Sequence, residues 1–115
     1  PALKGRFDGL SVRVPISTVS LSDMTFLLKK KVTKEQVNDA LVKASKQAQW
    51  KGLVGVSFEP LVSSDYRGDA RSAIVDAELT NVVDGDLVKV VAWYDNEWGY
   101  ANRLAELVLM AAHQV

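Results

Sequence analysis

Leu87-Val88-Lys89-Val90-Val91-Ala92-Trp93, continued by Tyr94-Asp95-Asn96-Glu97-Trp98-Gly99-Tyr100, is the stretch that decides how this chain folds. Six of the seven residues from Leu87 to Trp93 are apolar, which marks a central β-strand covered on both faces. Tyr94-Asp95-Asn96 then turns the chain. Ala101, Leu104, Val108 and Ala111 make one stripe of a helix expected from about Glu97 to His113.

Just before this strand, Asp84-Gly85 is a strong hairpin signal and joins it to a strand over Ser72–Thr80. Further back, Leu53–Phe58 reads as a strand with Val54, Val56 and Phe58 on one face, ended by Pro60. Ser63–Asp69 is rich in Ser, Asp and Gly and reads as a loop. Thr33-Lys34-Glu35-Gln36 fits a capping box opening a helix, with Val37, Leu41, Ala44 and Ala48 at helical spacing, an end near Gln49 and a stop at Gly52.

Toward the N-terminus, Thr18–Lys29 reads as a strand whose apolar phase shifts from Val19 and Leu21 to Met24, Phe26 and Leu28. That shift predicts a bulge or a face switch near Ser22-Asp23. Lys29-Lys30-Lys31 reads as a solvated strand end. Leu10, Val12 and Val14 alternate with Ser11 and Arg13, predicting a further strand that Pro15 interrupts. The order β-β-α-β-β-β-α predicts a single α+β domain over residues 1–115: a largely antiparallel mixed sheet with helices packed on one face.

Composition narrows the chemistry. The 115 residues include no cysteine and one histidine, and 14 basic residues balance 14 acidic ones. Disulfides, thiolate metal sites and a cysteine nucleophile are excluded within this chain, as is a multi-histidine metal site. Balanced charge speaks against nucleic-acid binding, and the apolar runs are far short of the roughly 20 residues a membrane span needs. The start, Pro1-Ala2-Leu3-Lys4-Gly5, has neither an apolar signal region nor an initiator methionine, so the chain is expected to be processed or cut from something longer. No glycine-rich phosphate loop is present, so the chain carries no dinucleotide-binding unit of its own.

Two places could carry chemistry. Arg13 offers a permanently charged planar fork suited to phosphate or carboxylate, though spacing by itself favours a surface or salt-bridging arginine. The segment Trp93–Tyr100 concentrates hydrogen-bonding aromatics, a carboxamide and two carboxylates where a strand ends and a helix starts. Asn96 can pair with another amide, while Asp95 and Asn96 also suit helix N-caps. His113 suits the negative end of a helix. Asp65 and Asp69 read as turn formers, Arg67 and Arg71 as surface charges or an anion attractor, and Trp50, Trp93 and Trp98 as core residues.

Gly9-Leu10-Ser11-Val12-Arg13-Val14-Pro15 with Val19-Ser20 and Asp23, the segments Lys51–Gly55 and Val62–Tyr66, and Trp93–Tyr100 with Asn102-Arg103 together resemble phosphorylating NAD-dependent glyceraldehyde-3-phosphate dehydrogenases. The resemblance covers essentially the whole chain and implies the C-terminal part of the catalytic domain. In that family a cysteine attacks the aldehyde, hydride passes to NAD, and inorganic phosphate releases an acyl phosphate. The resemblance places the cysteine, its histidine partner and the Rossmann NAD-binding domain upstream of this segment, so the chain alone is expected to be inactive and to hold no catalytic residue.

By the same resemblance Arg13 binds substrate phosphate, Asn96 hydrogen-bonds the nicotinamide carboxamide, and Tyr94 and Tyr100 are supporting residues of the pocket. It further implies a cytoplasmic homotetramer acting on a phosphorylated aldehyde and inorganic phosphate, without nucleic acid, membrane or metal. The related erythrose-4-phosphate dehydrogenases typically carry cysteine and phenylalanine where this chain has Tyr94 and Tyr100, so the tyrosines favour the triose enzyme. A non-catalytic binding module is the alternative of a different class. The loop Arg67-Gly68-Asp69-Ala70-Arg71 departs from the Asn- and His-containing loop common in the family.

Overall fold

The computed structural model describes residues 2–113. Its elements are β1 (Ser20–Leu27), α1 (Lys34–Ser45), β2 (Val54–Ser57), a 3₁₀ turn (Ser63–Tyr66), β3 (Ala73–Val83), β4 (Leu87–Tyr94) and α2 (Trp98–Ala112). The strands form one sheet in the order β1-β4-β3-β2. β4 is antiparallel to β1 and β3, whereas β2 runs parallel to β3. The domain is therefore α+β with a mixed, largely antiparallel sheet. Among the described residues no helix is long and apolar enough to cross a membrane.

Local chemistry explains the joints. Asp84 and Gly85 both adopt positive φ, 47° and 77°, in the short turn Asp84-Gly85-Asp86 that joins β3 to β4. α1 opens with the expected capping box: the Gln36 N–H donates to Thr33 Oγ1 at 3.3 Å and the Thr33 N–H to Gln36 Oε1 at 3.0 Å. It ends earlier than its apolar spacing suggests, at Ser45, whose hydroxyl donates to the Val42 carbonyl. Turns then lead to Gly52 and β2.

The core has two sides. On one face of the sheet Val75, Val88, Val90 and Ala92 pack with Met24 and with Val37 and Leu41 of α1. On the other, Val19, Tyr66 and Ile74 pack with Leu61 and Trp93. β4 is thus covered on both faces only in its second half: Val90, Val91 and Ala92 are buried, while Leu87 and Lys89 are exposed.

Several expectations change. Gly9–Val14 forms no strand. It is an exposed arm, with Leu10 85% and Val12 72% accessible. Alternation makes a strand only where a neighbouring edge receives its backbone hydrogen bonds. β1 has no bulge; Ser20–Leu27 pairs with Tyr94–Leu87 in unbroken register. The shift in apolar phase is a face switch within a regular strand: Leu21 lies on the opposite face from Met24 and is exposed, while Met24 packs against the core.

The irregularity lies in β3 instead, where pairing passes from Asp76↔Val91 to Asn81↔Lys89. The extra residues are held by side chains: Asp76 accepts from the Leu79 N–H and from Trp93 Nε1, and Asn38 Nδ2 donates to the Ala77 carbonyl at 3.1 Å. Lys31 is not merely solvated; its ammonium sits between Asp84 and Asp86, and this pairing raises its pKa. Trp50 and Trp98 are exposed, and only Trp93 meets the core.

α2 starts where the sheet ends but does not lie on it. Gly99 is its one buried residue among those described, and Leu104 and Val108 of the expected stripe are 49% and 60% accessible. The radius of gyration, 15.8 Å, exceeds the roughly 13 Å of a compact chain this long. The accessible surface, 8844 Å², exceeds the approximately 6,200 Å² expected for the mass. The arm and α2 carry this surplus.

Candidate functional site

Antiparallel pairing sets Ser20 opposite Tyr94. The chain entering β1 and the chain leaving β4 consequently meet at one end of the sheet. Arg13 lies in the arm that enters this corner, and Asn96 lies in the turn that leaves it. Both side chains are exposed, Tyr94 is half-buried, and Tyr100, in the first turn of α2, is 68% accessible.

Asp95 organises the corner. It is 4% accessible and accepts four hydrogen bonds. Oδ1 receives the N–H groups of Glu97 and Trp98 at 3.0 and 2.9 Å and the Thr18 hydroxyl at 3.4 Å; Oδ2 receives the Gly68 N–H at 2.8 Å. The Asp95 carbonyl also accepts from the Gly99 N–H, so Asp95 is the residue that caps α2. The Gly68 N–H, followed by those of Trp98 and Glu97 and the Thr18 hydroxyl, holds the Asp95 carboxyl below the usual aspartate range against the opposing effect of burial. Because Asp95 takes the capping role, the Asn96 carboxamide is left facing solvent.

The loop beneath the corner is braced separately. Arg71 Nε donates to Asp69 Oδ1 and Oδ2 at 2.9 and 3.1 Å, and the pairing holds the Asp69 carboxyl below its ordinary range. Arg67 Nη2 donates to Ser17 Oγ at 2.9 Å, tying the same loop to the root of the arm. Gly99 makes the approach of α2 possible, since a Cβ there would stand 2.9 Å from the Arg71 carbonyl oxygen. Trp93 stacks on Tyr66, centroids 5.6 Å apart, and donates Nε1 to buried Asp76 at 3.0 Å, which stiffens the strand end that carries Tyr94.

Arg67 and Arg71 are therefore structural braces rather than free surface charges, and Asp65 and Asp69 are turn formers, accepting from the Val62 N–H at 2.8 Å and the Arg71 N–H at 2.9 Å. His113 lies at the end of α2, its Nδ1 2.6 Å from the Leu109 carbonyl oxygen. Thr18, Gly68 and the Ser17–Arg67 link carry no signature in the sequence; they matter because distant segments converge on Asp95. Chemically, the corner presents an exposed carboxamide able to pair with an amide, at the root of an arm bearing a fork suited to an anion. Among the described residues no thiol accompanies them.

The family model for the C-terminal domain of glyceraldehyde 3-phosphate dehydrogenase matches residues 1–96. Glyceraldehyde-3-phosphate dehydrogenase 3 of Nostoc sp. is 49% identical over 112 residues, which is 97% of this chain and 33% of that protein. The glyceraldehyde-3-phosphate dehydrogenases of Geobacillus stearothermophilus and Streptomyces coelicolor are 48% and 44% identical, over 97% and 100% of this chain and 33% and 34% of theirs. The chain spans about a third of the length of the curated relatives it matches.

Proposed function

Because the chain belongs to the glyceraldehyde 3-phosphate dehydrogenase C-terminal domain family, we propose that it supplies the substrate-phosphate and nicotinamide contacts of an NAD-dependent phosphorylating aldehyde dehydrogenase. The reaction is oxidation of glyceraldehyde 3-phosphate with inorganic phosphate to 1,3-bisphosphoglycerate. The observation that carries this reading is the Ser20↔Tyr94 register, which leads the Arg13 arm and the Asn96 turn to one end of the sheet.

The guanidinium of Arg13 binds and orients the phosphate group through charge-assisted hydrogen bonds. Asn96 fits a nicotinamide: its carboxamide is exposed, and Asp95 relieves it of capping α2. An amide-to-amide pair there fixes which ring face is offered. Bound NAD would supply the hydride acceptor. Tyr94 and Tyr100 border the same corner as supporting residues. The thiol nucleophile and most of the NAD contacts belong to polypeptide other than these residues, so the chain alone is inactive in this reading. The surplus of exposed apolar surface on α2 and the arm supports covering by further polypeptide, with a cytoplasmic homotetramer as the setting.

The test is kinetic, in the full-length protein. Arg13→Ala lowers kcat/KM for glyceraldehyde 3-phosphate by the equivalent of about 2–4 kcal/mol, as expected for loss of a charged partner, and far less for unphosphorylated glyceraldehyde. Asn96→Ala raises KM for NAD. Unchanged constants for both variants would remove these residues from the site.

A further inference from the structure

We propose that Asp95 is a positioning residue that holds Arg13 and Asn96 in one frame, so that phosphate capture and nicotinamide orientation depend on a single buried carboxylate. The proposal rests on the roles given above to Arg13 and Asn96. Capping α2 requires one side-chain oxygen, and Oδ1 does that through Glu97 and Trp98. The remaining capacity of Asp95 is directed elsewhere: Oδ2 to the Gly68 N–H, and Oδ1 also to the Thr18 hydroxyl.

All four partners are donors. A carboxylate can satisfy them together, whereas a carboxamide would turn an NH₂ toward one of them. Thr18 is the root of the arm. It lies between Val19, buried at φ 76°, and Ser17, which Arg67 of the same loop holds at 2.9 Å. Arg13 is five residues further out, within about 17 Å of chain, and Pro15 stiffens the path between. An arm exposed along its length takes its direction from its root, and Asp95 binds that root and the turn carrying Asn96 at once.

The full-length protein with Asp95→Asn or Thr18→Val tests this, with Arg13→Ala and Asn96→Ala as references. Asp95→Asn should raise KM for both NAD and glyceraldehyde 3-phosphate, with kcat/KM falling roughly 10–100-fold, the scale of an ångström-size misplacement. The aldehyde effect should shrink with unphosphorylated glyceraldehyde, which does not use Arg13. Thr18→Val should raise KM for the phosphorylated aldehyde and leave KM for NAD unaltered. Asp95→Asn that lowers the thermal midpoint while leaving both KM values unchanged would overturn the proposal, as would one that moves only KM for NAD, since Asp95 would then be a helix cap alone. Where Asp95→Asn does not fold, an unchanged KM for the phosphorylated aldehyde in Thr18→Val overturns it. Loss of effect in the two reference variants would instead remove the roles of Arg13 and Asn96, and the proposal with them.

Discussion

Val19 is a β-branched residue at φ 76°, and it is buried, 2% accessible, against Tyr66 and Ile74. Left-handed backbone costs an L-residue about 1–2 kcal/mol, and branching at Cβ worsens the clash. Replacing Val19 by Ala removes two buried methyl groups and keeps most of the strain, so it should destabilise by about 2 kcal/mol. Going on from Ala to Gly removes one more methyl, about 0.8 kcal/mol, and adds unfolded-chain entropy of about 0.5–1 kcal/mol, but it also releases the strain. At an ordinary buried site the glycine variant would therefore fall about 1.5 kcal/mol below the alanine variant; at Val19 the two should lie within about 0.5 kcal/mol of each other. Urea unfolding of the wild-type protein and both variants, followed by tryptophan fluorescence, gives the comparison from midpoints and slopes. A Val19→Gly protein more than about 1 kcal/mol less stable than Val19→Ala would refute the strain assigned to this joint.

The hairpin offers a parallel case. Gly85→Ala must hold a Cβ at φ 77° and 2.8 Å from Lys31 Cδ, so a loss of about 1–2 kcal/mol is expected in the same unfolding assay, and an unchanged midpoint would contradict the turn geometry. The acid limb of stability carries a signature of Asp69 and Asp95, both held below the ordinary aspartate pKa of about 3.9. Carboxyls depressed in the folded state add stability above that value and lose it as pH falls through their lower folded values. The thermal midpoint should therefore drop between about pH 5 and pH 2, and less steeply in Asp95→Asn; parallel curves for the two proteins would detach Asp95 from this effect.

Local chemistry was legible where a signal and its partner lie close together in the chain. Thr33 and Gln36 are three residues apart, and Asp84-Gly85 needs nothing but its own backbone preference; both turned out as their sequences imply. The apolar run of β4 located the centre of the sheet for the same reason. What stayed hidden depends on who covers whom. Leu10, Val12 and Val14 alternate perfectly and yet stand in the open, because alternation carries no information about whether a neighbouring strand exists. The stripe on α2 was legible as helix but not as surface.

At the site, Asp95 read as a cap and is one. Its grip on Thr18 and Gly68 could not be read, since 77 and 27 residues of chain separate the partners. Arg13 and Asn96 were singled out by residue type; that they lead into one corner is a property of the β1–β4 register.

That register also sets a cost in chain entropy. β3 and β4 need only the short turn Asp84-Gly85-Asp86 to meet, but Leu27 finds its partner 60 positions downstream at Leu87, and Ser20 finds Tyr94 74 positions downstream. Closing a loop of that size costs roughly 3–4 kcal/mol by the logarithmic law before any contact offsets it. The corner where the chain enters β1 and leaves β4 is thus the most non-local part of the sheet. Its assembly is financed by the whole length of the β1–β4 ladder rather than by the few residues that form it.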